Sequence, residues 1–236
     1  MKDIAKLPYK FIYFDLDDTL LDHKTAERAA LGDVHGNFSI FNNIVSEALA
    51  EVYHEVNVEQ WLLYSRGDVN REELQRNRFE MTLQQLSLDA AQYEKVGNYY
   101  LQCYQNHWQW INGAESMYLR VLQKFPAGLL TNGFAETQRL KFEKFGLHKS
   151  ATHTVISEEV GVLKPDPKVF QHATELAGVE PDEILYVGDS YSSDIEGGAN
   201  FGWNTAWFTD NGNCQQYEKA DFVFSDCKDL CKFLNV

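Results

Sequence analysis

Asp15 and Asp17 stand two residues apart, directly after the apolar run Lys10-Phe11-Ile12-Tyr13-Phe14. Alternate residues of an extended chain point to the same side, so the two carboxylates share a face at the end of a predicted strand. Acids that close repel one another and require a cation or a shared proton. Three later segments carry matching chemistry. Leu129-Leu130 runs into Thr131-Asn132-Gly133, which offers a hydroxyl and main-chain N–H groups to an anion. Lys164 sits in Gly161-Val162-Leu163-Lys164-Pro165-Asp166-Pro167, a loop that its prolines stiffen. Asp189 follows Tyr186-Val187-Gly188, with Asp194 five residues on. Such acids suit a hard cation that takes oxygen ligands and keeps several waters. Each piece alone also reads as a helix cap, a turn or a solvated lysine. Together they place acids, a hydroxyl and a lysine at the carboxyl ends of separate strands, where open α/β sheets bind ligands.

The elements that must position these residues are legible as hydrophobic runs. Phe11–Phe14 is apolar on both faces, the mark of a strand covered on both sides in a parallel sheet. Similar runs occur at 128–130, 154–156, 184–187 and 205–208, and Phe222-Val223-Phe224 adds a candidate edge strand. Helical patterns alternate with them. Asp166-Pro167 starts one, Val169, Phe170, Ala173, Leu176 and Ala177 form its stripe, and Gly178 stops it. The segment Phe134 to Phe145, closed by Gly146, reads likewise. Alternating strand and helix specify a doubly wound α/β parallel sheet, a Rossmann-like core.

Residues 23–110 show helical spacing and no strand signal. Phe41, Ile44, Val45, Ala48, Leu49, Val52, Tyr53 and Val56 predict one helix. Asn70 with Glu73 predicts a capped helix through about Leu86, and Asp89 with Gln92 a further start. The expected organisation is a core of residues 1–22 and 111–236 carrying an inserted all-helical domain, 23–110.

The composition bounds the partners. A chain of 236 residues with 44% hydrophobic residues and a formal charge of −14 builds a packed interior and lacks the basic footprint of a nucleic-acid polymer binder. No run is long enough to span a membrane, and none reads as a leader peptide. Cys103, Cys214, Cys227 and Cys231 have no metal or disulfide spacing, so reduced thiols in a cytoplasmic protein are expected. Monomer and homodimer stay equally open.

The ordered set DLDDT, LLTNGF, KPDP and VGDSYSSD resembles the four motifs of the haloacid dehalogenase-like (HAD) hydrolase superfamily. The likeness covers the whole core, and the inserted helices resemble that superfamily's helical cap. Segments 155–161 and 130–134, with Arg78-Phe79-Glu80, resemble its pyrimidine 5′-nucleotidases. The resemblance implies a phosphatase that uses Mg²⁺ and acts on small phosphomonoesters, a nucleoside 5′-monophosphate first among them. It implies Asp15 as covalent nucleophile and Asp17 as acid and base. Thr131, Asn132 and Lys164 would hold the phosphoryl group. Asp15, Asp17 (through its carbonyl) and Asp189 would hold the metal, with Asp194 touching it directly or supporting its ligands, and Asp18 would fix the loop. Trp61, Tyr64, Arg66, Arg78, Phe79 and Trp108 are candidates for reading the leaving group.

Other readings remain at this point. Halide removal from a 2-haloacid fits the motifs but needs neither Asp17 nor a metal. A sugar-phosphate phosphatase or a phosphomutase shares the core. A receiver module also gathers acids, a hydroxyl and a lysine, yet carries no long insertion after its first strand.

Overall fold

The computed structural model of the protein describes residues 8–209 and 218–236. Cys214 lies outside them. In chain order the elements are β1 (Phe11–Phe14), α1 (His23–Asn37), α2 (Ser46–Arg66), α3 (Arg71–Gln85), α4 (Tyr93–His107), α5 (Ala114–Leu122), β2 (Ala127–Thr131), α6 (Ala135–Lys144), α7 (Leu147–Ser150), β3 (Thr154–Ile156), α8 (Ser157–Val160), α9 (Pro167–Ala177), β4 (Ile184–Gly188), α10 (Gly197–Phe201), β5 (Asn204–Phe208), β6 (Phe222–Phe224) and α11 (Cys227–Leu234). A π-helical turn, Tyr191–Glu196, joins β4 to α10. The chain divides into two compact units, one of residues 23–109 and the other of the remainder.

The larger unit is a six-stranded sheet of order β3-β2-β1-β4-β5-β6, with every neighbouring pair parallel. This is the doubly wound α/β core that the alternating pattern predicts, with the edge strand β6 included. Strand β1 lies at its centre, and all four of its residues are buried. Ile12 and Phe14 face one apolar layer with Met117, Val121, Leu129 and Leu185. Phe11 and Tyr13 face the other with Phe170, Val169, Tyr186 and Trp203. Each such side chain contributes roughly 1.5–3 kcal/mol by leaving water, which is why a short run with no polar face holds the middle of the sheet. Pairing of Leu21 with Trp110, and the Ile111 N–H on the Leu20 carbonyl at 2.9 Å, keep Trp110 with this unit.

The smaller unit is helical throughout. The capping box at Asn70 forms as predicted: its side chain accepts from the Glu73 N–H at 3.0 Å, and the Glu73 carboxylate accepts from the Asn70 N–H at 2.8 Å. Asp89 caps a short 3₁₀ turn that leads into α4. One expectation fails. Phe41, Ile44 and Val45 continue the helical spacing of α2 but precede it, since α2 begins at Ser46 with Val45 extended and exposed. A separate 3₁₀ turn, Ser39–Phe41, buries Phe41 instead. Spacing alone cannot register such a break when apolar residues continue across it.

Candidate active site

Each strand end delivers its side chain to one place because the strands are parallel and the register of β1, β2 and β4 is level. Asp15 follows β1 directly, and its N–H donates to the Val187 carbonyl of β4 at 2.8 Å. Thr131 ends β2 and is buried. Asp189 follows β4 by one residue. Lys164 arrives from the loop between α8 and α9. Its side chain is 2% exposed, and its ammonium donates to Asp15 Oδ1 at 2.6 Å, Asp194 Oδ1 at 2.7 Å and the Tyr186 hydroxyl at 2.7 Å.

Asp15, Asp189 and Asp194 each bring a carboxylate oxygen within 4.8 Å of the others, the one such group of acids among the described residues. Three carboxylates against one ammonium leave a charge of about −2, which a divalent cation with a taste for oxygen would neutralise. Burial pushes the Asp15 carboxyl well above the usual range; Lys164 pulls it down, and Asp194 and Asp189 push it up again. Burial works against the Lys164 ammonium, but Asp15 and Asp194 outweigh it and raise its pKa. The site therefore holds the lysine charged between Asp15 and Asp194.

Asp194 has both oxygens engaged. Oδ1 faces Lys164, Tyr186 and Ser193, and Oδ2 accepts from the Ser190 N–H at 3.0 Å. The π-helical turn brings it there, and such turns are frequent at functional sites. Gly188 leaves room for it: a Cβ at that position would stand 2.6 Å from Asp194 Cγ. Gly188→Ala is expected to displace the Asp194 carboxylate and lower turnover about 100-fold, with a smaller change in melting temperature. Steady-state kinetics beside thermal unfolding would check this, and unchanged turnover would show that the contact is dispensable.

Asp17 goes elsewhere. Its carboxylate accepts from the Lys141 ammonium at 2.6 and 2.8 Å and from Gln138 Nε2 at 3.0 Å. Its side chain is thus outside the acid cluster. Asp18 adopts φ 60°, a conformation short polar residues tolerate, and its N–H donates to the Leu21 carbonyl at 2.7 Å. Thr19 donates to Asp189 at 3.3 Å. Asn132 turns its side chain to the main chain of Lys164, donating to the carbonyl at 3.1 Å and accepting from the N–H at 2.8 Å.

Gln138, Lys141 and Tyr186 were not singled out from the sequence as site residues. Tyr186 reads as core within a buried strand, and Gln138 and Lys141 read as solvated positions of a helix. Arg78 belongs to the helical unit, on α3, where it is 9% exposed and its Nε has no hydrogen-bond partner among the described residues. Phe79 and Trp108, candidates for stacking on a ligand, are instead buried against Tyr53, Tyr100 and Tyr104.

A level parallel sheet with acids, a lysine and a hydroxyl collected at its carboxyl edge defines a Rossmann-like core. The model of the haloacid dehalogenase-like hydrolase family matches residues 9–202, and the chain belongs to that family. It is 33% identical over 205 residues to pyrimidine 5′-nucleotidase YjjG of Escherichia coli, covering 85% of this chain and 86% of that one. It is 30% identical to a glyceraldehyde 3-phosphate phosphatase of Pyrococcus furiosus, covering 95% and 92%. Among solved structures, the HAD-hydrolase YfnB of Bacillus subtilis, determined with magnesium bound, superposes with a TM-score of 0.83 at 26% identity over 97% of this chain and 99% of that one. No helix among the described residues is long and apolar enough to cross a membrane.

Proposed function

We propose that the protein is a Mg²⁺-dependent phosphatase of small phosphomonoesters, with a pyrimidine nucleoside 5′-monophosphate as its substrate of choice. Membership of the hydrolase family and relatives named as phosphatases and nucleotidases support the phosphohydrolase class. The observation that carries the mechanism is the buried Asp15 held at 2.6 Å by Lys164 beside two further acids.

In this reading Asp15 attacks phosphorus, an Asp15 oxygen–phosphorus bond forms, and the bond from phosphorus to the ester oxygen breaks. Asp17 gives its proton to the departing alkoxide, then takes one from the water that attacks the acyl phosphate. The phosphorus–Asp15 bond then breaks, releasing inorganic phosphate and regenerating the carboxylate. Thr131 and the main-chain N–H of Asn132 hold phosphoryl oxygens, the Asn132 side chain being engaged with Lys164. Lys164 offsets the charge of Asp15 and the phosphoryl group. Asp15 and Asp189, with the Asp17 carbonyl, would hold Mg²⁺. Asp194, with both oxygens already engaged, would steady the site from behind. The ion would supply positive charge between carboxylate and phosphate dianion.

Arg78 is the residue of the helical unit assigned to substrate recognition. It lines a cavity of about 540 Å³ together with Asn70, Arg76, Tyr93 and Asn98 and three acids, Glu72, Glu73 and Glu94. The Pyrococcus relative, which matches nearly the whole chain, favours a triose or sugar phosphate as the second reading.

Phosphate release across nucleoside 5′-monophosphates and sugar phosphates tests both. Release should be fastest from pyrimidine nucleotides, fall at least 100-fold with chelator and return with added Mg²⁺. Turnover that ignores chelator, or halide release from a 2-haloacid, would overturn the reading.

A further inference from the structure

We infer that Lys141 and Gln138 are positioning residues for Asp17, fixing the carboxylate that serves the leaving group and tying it to the hydroxyl of Thr131. The inference rests on the aspartyl-phosphate reading above. The two residues lie three apart on α6, hence on one face of the helix. A helix lysine ordinarily carries its head to water along an apolar stem. Here the Lys141 side chain is 3% exposed and its ammonium meets both oxygens of Asp17, whose own side chain is 25% exposed. Gln138 is 1% exposed, and its Nε2 lies 3.0 Å from Asp17 Oδ2, 2.7 Å from Thr131 Oγ1 and 3.2 Å from the Asn132 carbonyl. One side-chain amide thereby joins the acid–base residue to two residues assigned to the phosphoryl group.

The sequence makes room for that bridge. Gly133 has φ 144°, and a Cβ there would stand 3.0–3.1 Å from the Gln138 side chain. A larger residue would press on the Gln138 side chain by a few tenths of an ångström, on a backbone that L side chains rarely adopt.

The chemistry explains the need. One carboxylate must address two different oxygens in turn, that of the leaving alcohol and that of the attacking water. A side chain on a loop samples several rotamers, and a misplacement of about 1 Å can cost 100-fold in rate. Lys141 and Gln138 remove that freedom by holding both Asp17 oxygens, and a quarter of the Asp17 side chain stays open to solvent. The plainer alternative is that the ion pair only pins α6 to the loop after β1. In that case its loss would lower stability and all activities alike.

Kinetics separate the two. The full chain is compared with Lys141→Met, which keeps the stem, and with Lys141→Arg, which keeps the charge. The substrates are an alkyl phosphomonoester and p-nitrophenyl phosphate, whose leaving group departs without a proton. Lys141→Met should lower kcat for the alkyl ester about 100-fold with KM within about threefold. With p-nitrophenyl phosphate it should release one equivalent of nitrophenolate per enzyme rapidly before a slow steady state, because only the second step then needs Asp17. Lys141→Arg should recover most of the rate. Equal losses on both substrates without a burst, or wild-type kinetics in Lys141→Met, would overturn the inference. A wild-type chain that releases no phosphate from either ester would sink the functional reading, and this inference with it.

Discussion

Asp15→Asn is expected to abolish phosphate release, by about 10⁴-fold or more, while the folded structure persists. The amide keeps the shape of the carboxylate and can still accept from Lys164, but it cannot form the acyl phosphate. Its effect on stability should be small. Asp15 is buried beside Asp194 and Asp189, which disfavour its charge, so removing that charge relieves repulsion as well as losing the pair with Lys164. Steady-state phosphate release, thermal unfolding and trapping of a hydroxylamine-sensitive phosphoenzyme together check this. Wild-type turnover in the variant, or a covalent phosphate on another residue, would remove Asp15 from its assigned role.

Lys164→Met should be nearly as damaging to activity and far more damaging to the fold. Its ammonium donates to Asp15, Asp194 and Tyr186 at 2.6–2.7 Å with almost no water nearby. Breaking a buried pair from one side costs about 3 kcal/mol or more, since the remaining carboxylates are left uncompensated. Loss of one preorganised donor costs about 100- to 1,000-fold in rate. The expected result is a drop of at least 100-fold in kcat together with a lowered urea midpoint at unchanged slope. A variant as stable as the parent would show that the acids do not depend on this lysine.

The sheet was legible because its signal is local. Phe11 to Phe14 has no polar face, and the residues just beyond that run and beyond Val187 are acids, so strand and site announce each other. The two prolines after Lys164 and the glycine before Asp189 added spacing that an ordinary surface loop lacks. Part of what stayed hidden depends on contacts across more than a hundred residues. Lys141 and Gln138 sit in a helix whose composition, with Lys141, Lys144 and Arg139 so close together, looks solvated. Only the fold reveals that Lys141 points at Asp17 from 124 positions away. Tyr186 hides for the opposite reason, since a tyrosine inside a buried strand reads as packing until its hydroxyl is seen beside Lys164. The start of α2 failed because apolar spacing runs through Phe41 and Val45, while the backbone turns between them.

The two-way clasp between Asn132 and the main chain of Lys164 fastens a pair of loops that come from different strands. Neither can be transplanted by itself. A graft of the residues after β2 into a related scaffold would carry half a buckle, and the lysine opposite would lose its tether. Attempts to retune such a catalyst by swapping segments should therefore exchange 131–134 and 161–167 as a single cassette.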